Sequence, residues 1–108
     1  MGPQWQNTTV IVVSEFGRTF RENGNRGTDH GHGTVYWVMG GGLEAGGKVV
    51  GPQQQLRADT LFQDRDMPAL IDHRAMLAGL WGRQYGLTPA QRAQVFPGLK
   101  GSVDLGLV

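Results

Sequence analysis

Cysteine is absent from the 108 residues, which removes disulfides, thiolate metal sites and cysteine nucleophiles together. That absence fits a reducing or an exported location equally. An excess of charge of one sign is lacking too: ten Lys and Arg stand against nine Asp and Glu, a formal net charge of +1. So balanced a chain gives no electrostatic reason to expect nucleic acid or an anionic membrane as a partner. No apolar run approaches the roughly 18 residues of a membrane span. The opening "MGPQWQNTT" has neither the charged nor the apolar region of a signal peptide. Histidine is scarce, with three in all.

Glycine is what the chain has in excess. There are eighteen, well above the usual roughly 7% of residues. They follow no collagen-like period and gather between residues 17 and 51, which points to long specialised loops. At this length the chain reads as one small domain or part of a larger one. Its expected organisation is a leader over 1–7, strands and a functional loop over 8–51, and a helical remainder over 52–108.

"TTVIVVS" (8–14) is a continuous β-branched run without polar alternation. It predicts a strand covered on both faces, in the interior of a mainly parallel sheet. Residues 15–33, "EFGRTFRENGNRGTDHGHG", have no helical period and predict a long functional loop. A second strand follows at 34–40, and "GGLEAGGKVVG" (41–51) predicts a turn with a short third strand. The long connection holds no helix for a parallel crossover, so the second strand is expected antiparallel to the first. That would bring Glu15 and the Asp29–His32 stretch to one rim of the sheet. A helix is predicted over 72–86, with Asp72 as N-cap, Gly86 as terminator and an apolar stripe of Met76, Leu77, Leu80, Trp81 and Tyr85. A second helix over 88–96 opens with a Thr88–Gln91 capping box and Pro89 in its first turn.

The chemistry gathers in "DHGHG" (29–33), which holds two of the three histidines. Asp29, His30 and His32 offer a carboxylate and two imidazoles of the kind that suit Zn²⁺, Mn²⁺ or Fe²⁺. In an extended segment the two imidazoles of His-x-His share one face. The alternative is a polar loop whose histidines cap backbone groups. Glu15, closing the first strand, lies either in the site crevice or in solvent. Arg18, Arg21 and Arg26 either bind an oxyanion or pair with Glu22, Asp29 or Glu15 to hold the loop. Asn23, Gly24 and Asn25 read as turn residues. No nucleophile with a base beside it is evident, and the Gly-rich stretch at 40–47 lacks the features of a phosphate-binding P-loop.

The stretch "VIVVSEFGRTFRENGNRGTDHGHGTVYWVMGGG", with "DMPALIDHRAML", "VFPG" and the closing "LGLV", resembles the C-terminal part of the DUF1501 family. That family consists of exported bacterial proteins grouped with the alkaline phosphatase and sulfatase superfamily. The resemblance implies an α/β fold, a partial alkaline-phosphatase-like mixed sheet with C-terminal helices. It implies a metal-dependent phosphatase- or sulfatase-like hydrolase acting on a phosphate or sulfate ester, with Zn or Mn as the divalent metal. In the superfamily a strand ends in an Asp-His metal pair and a further His precedes the next strand. By position, Ser14-Glu15 stand where that pair would be, and His30 or His32 where the later histidine would be. On this reading Glu15, Asp29, His30 and His32 would contribute part of the metal shell, with Arg18 as substrate-anion contact or loop anchor. The nucleophile and further ligands would lie upstream, so the chain would need the remainder of the domain or a partner chain. A non-catalytic binding or structural module of the same fold is the alternative, because Ser and Glu replace Asp and His.

Overall fold

The computed structural model describes residues 2–108. The chain is mixed α/β, with four short strands and two helices: β1 (Thr9–Val12), β2 (Gly17–Arg18), β3 (His30–Gly31), β4 (Trp37–Gly40), α1 (His73–Tyr85) and α2 (Pro89–Val95). It divides into two compact units. One comprises Met1–Thr9, Met39–Gly51 and Ile71–Val108, the other Val10–Val38 and Pro52–Leu70.

The strands make two separate two-stranded sheets, β1 with β4 and β2 with β3. The chain order along the first sheet shows its sense. The place of a Cβ on Gly40 lies against the Thr8 carbonyl, while the Tyr36 hydroxyl donates to the Ser14 carbonyl at 3.4 Å. One strand ascends as the other descends, so the predicted antiparallel relation holds. The expectation of a mainly parallel sheet with a covered interior strand does not. Val10, Val12 and Val13 are exposed, and β1 has one strand partner among the described residues. A β-branched run encodes a preference for extended backbone, and burial needs neighbours as well.

In the helical unit, α1 begins where predicted. Asp72 accepts from the Arg74 backbone N–H, and Gly86 closes the helix in the left-handed region at φ 65°. The α2 capping box is complete: Thr88 Oγ1 accepts from Gln91 N, and Gln91 Oε1 accepts from Thr88 N. The buried face of α1 differs from the predicted stripe. It is Ala75, Met76, Ala78, Gly79 and Leu80, whereas Tyr85 is 73% exposed. Tyr85 follows Met76 by about two and a half helical turns, so it points away from the face that Met76 buries. The small residues let the C-terminal segment lie directly on the helix, where Val103 N donates to Ala75 O at 3.0 Å. Leu107 and Ala45 are also buried in this unit. Trp81 stacks on Phe96 at 5.6 Å between ring centroids, joining α1 to the end of α2.

The leader forms a 3-10 helix, Gly2–Asn7, whose Trp5 carbonyl accepts from Thr8 N and Gly41 N. Two further expectations are corrected. Residues 41–51 turn without a third strand. The helical remainder begins only at His73, because Pro52–Leu70 is built of turns and isolated bridges. In that segment Gln63 and Asp64 both adopt left-handed φ, 54° and 57°, closing a tight turn between the bridged residues Phe62 and Asp66.

Candidate functional site

The long loop is a braced hairpin. β2 and β3 pair antiparallel, Gly17 opposite Gly31 and Arg18 opposite His30. Thr19 N extends the ladder to Asp29 O at 3.0 Å, and Asp29 N returns to Thr19 Oγ1 at 3.1 Å. At the tip, Asn23 Oδ1 accepts from the backbone N–H groups of Asn25 and Gly27 at 2.9 and 3.0 Å. This is the expected asparagine turn. The residue that takes the left-handed conformation is Arg26, at φ 63°, rather than one of the asparagines.

The 62–68 turn flanks the hairpin. Phe20 N donates to Arg65 O at 3.0 Å, Gly33 N to Met67 O at 2.7 Å, and Thr19 bridges Asp66. Glycine is required here for close backbone approach, not for mobility. A Cβ on Gly17 would lie 1.8 Å from Gly33 O, and one on Gly33 would lie 2.2 Å from Pro68 O. The "GHG" spacing thus serves packing of main chain on main chain.

Arginines anchor the hairpin, with partners that the sequence did not indicate. Arg18 Nε donates to Thr28 Oγ1 at 2.9 Å, and Arg18 Nη2 donates to the Thr28 carbonyl. Arg21 reaches across to Asp64, Nη2 to Oδ1 at 2.9 Å and Nε to the carbonyl at 3.2 Å. Arg65 pairs with the buried Asp66 at 2.8 Å. Arg18 therefore holds the loop with two of its three nitrogens.

The candidate ligands are placed as follows. Both histidines are exposed, and each ring stacks on a phenylalanine. His30 lies 4.0 Å from Phe16 at an interplanar angle of 23°, and His32 lies 4.6 Å from Phe62 at 19°. Asp29 accepts from Asn23 Nδ2 at 3.0 Å. Glu15 is exposed at the bend between β1 and β2, a bend spanned by the Phe16 N–H donating to Ser14 Oγ at 3.3 Å. Among the described residues no three His, Asp or Glu side chains stand together in an arrangement that could hold an ion. His73 is a surface residue beside Asp72.

Sequence reasoning missed Phe16 and Phe62. The signal for Phe16 was its place next to Glu15 at the mouth of the hairpin. For Phe62 no local pattern announces the pairing, since it lies 30 positions from His32. No helix among the described residues is long and apolar enough to cross a membrane. No curated protein and no solved structure matches the chain. A family model described as "Protein of unknown function (DUF1501)" matches residues 1–97. By the extent of that match, the chain belongs to the DUF1501 family.

Proposed function

We propose that the chain is part of a phosphatase- or sulfatase-like ester hydrolase with an alkaline-phosphatase-like fold, exported from the cell and without turnover in isolation. One observation carries this reading: His30 and His32 are exposed on a braced hairpin, and their rings are held in plane by Phe16 and Phe62. Imidazoles oriented in this way can hold or pass a proton, or donate a ring nitrogen to an ion, with little loss of side-chain freedom.

The donors available here fall short of a complete Zn or Mn centre. Asp29 already accepts from Asn23, and Glu15 joins no group of three potential ligands among the described residues. Were a metal bound, His30 and His32 would be its ligands from this chain, and the ion would polarise the ester and stabilise the charge developing on it. Arg18 would meet a substrate oxyanion only with the nitrogen that Thr28 leaves free. The missing groups would come from the rest of the domain or from a partner chain. The same shortage of converging ligands favours a second reading, a binding or structural module of this fold without catalysis.

The test is elemental analysis of the whole protein that carries this chain, with hydrolysis of aryl phosphate and aryl sulfate esters followed in parallel. The hydrolase reading expects stoichiometric Zn or Mn, lost in His30→Ala and in His32→Ala, together with ester hydrolysis that falls in step. A metal-free, folded and inactive protein leaves the module as the correct reading. Ester hydrolysis by the 108-residue chain alone, abolished by Glu15→Ala, would contradict the assignment of the nucleophile elsewhere.

A further inference from the structure

A second feature lies in the helical unit. A cavity of about 270 Å³ opens between α1, α2 and the segment that follows α2. Its apolar lining is Ala78, which is fully buried, Leu99, which is half-buried, and the exposed Pro89 and Ala93. Its polar lining is Arg92, Lys100 and Ser102, and no carboxylate lines it. Among the described residues neither Arg92 nor Lys100 has a carboxylate within ion-pair distance, whereas Arg21, Arg57, Arg65, Arg74 and Arg83 all do. Two unneutralised cations at one concavity repel each other and attract an anion.

The cavity is also shaped in advance. Arg92 is half-buried, and its Nη1 lies where a side chain on Gly82 would begin, 2.9 Å from the place of a Cβ. Gly82 thus leaves the room in which the guanidinium rests. The Trp81–Phe96 stack fixes one helix against the end of the other. The Leu99 N–H to Phe96 carbonyl bond, at 3.1 Å, turns the chain back to bring Lys100 to the rim.

We infer that this cavity binds a small organic oxyanion, its charged head on Arg92 and Lys100 and a short apolar body on Ala78, Ala93 and Leu99. The head is a carboxylate or a phosphate, the two groups that a guanidinium fork grips in bidentate fashion. The volume, just below the roughly 300–1,000 Å³ of drug-sized ligand sites, limits the body to about the size of one ring. This inference is independent of the histidine hairpin.

The test is a titration of the full chain, followed by amide and guanidinium NMR shifts, with phenyl phosphate, benzoate and inorganic phosphate as probes. Saturable binding of phenyl phosphate or benzoate, tighter than inorganic phosphate, is expected, with the preferred probe identifying the head group. Arg92→Gln should weaken it about tenfold or more, and Lys100→Gln should weaken it less. Gly82→Ala is the most discriminating variant. It favours the helix by about 1 kcal/mol yet crowds the guanidinium, so it should raise thermal stability while lowering affinity. Lys48→Gln, at an exposed cation that does not line the cavity, should bind as the parent does. Failure to saturate by about 10 mM, equal binding of inorganic phosphate, or unchanged affinity in both Arg92→Gln and Gly82→Ala would overturn the assignment.

Discussion

Replacing Gly79 with alanine tests the packing of the C-terminal segment on α1. In a solvated helix this change stabilises by about 1 kcal/mol, because glycine has the greater backbone freedom to lose. Here the new Cβ would lie 1.9 Å from Val103 O and 2.6 Å from Val103 C. Carbon atoms pack at about 3.5–4.0 Å, so the segment must retreat by roughly 1 Å or more. Retreat breaks the Val103 N to Ala75 O hydrogen bond, a net loss of about 1 kcal/mol. Forcing the extra carbon into this close contact of helix and main chain costs roughly 1–3 kcal/mol more, about 2 kcal/mol at the middle of that range. Against the helix gain, the expected outcome is destabilisation by about 2 kcal/mol, read as a lower urea midpoint. Gly46→Ala, where nothing lies within 4 Å of the new carbon, is the control and should be near neutral. A Gly79→Ala chain that unfolds at the same urea concentration as its parent, or a higher one, would refute the reasoning.

Other outcomes follow from the same geometry. The Arg74 side chain, and then its backbone N–H, hold the Asp72 carboxyl down at about 2 against the ordinary 3.8. The stability this gives is present above pH 3.8 and is lost as pH falls through about 2. An acid titration of Asp72→Asn should therefore lose less stability over that window. The difference should stay below about 1 kcal/mol, because the pair is solvent-screened. Gly17→Ala should force β2 away from the Gly33 carbonyl and open the hairpin. Faster tryptic cleavage after Arg18, Arg21 or Arg26 would report this, and an unchanged rate would count against the close approach.

The helix ends were legible because capping is local chemistry: Asp72, Gly86, Thr88 and Gln91 act within a few residues of themselves. The face of α1 was harder. Large apolar residues drew attention, while the run of Ala75, Ala78 and Gly79 carried the information that another backbone lies there. The hairpin was legible as an important segment but not as a structure. Its braces join residues 19–21 and 33 to 64–67, and pairing across more than forty positions, as in Arg21 with Asp64, leaves no periodic trace. For the candidate site, His30 and His32 were evident from residue type alone. Their rings nevertheless engage Phe16 and Phe62, because a flat apolar face close by is a stronger local partner than a distant carboxylate.

The β1–β4 ribbon has a practical consequence for anyone preparing the protein. From Thr8 to Ser14 the chain carries no charge and no proline, and Val12, Val13, Val35 and Trp37 line one shallow open groove. Each strand has one neighbour among the described residues, so amides and carbonyls along its other margin are open to further pairing. An uncharged β-branched segment of this kind has the composition associated with fibril-like stacking. A single lysine at Val12 or Val35 should lengthen the shelf life of the purified chain more than any change at the hairpin.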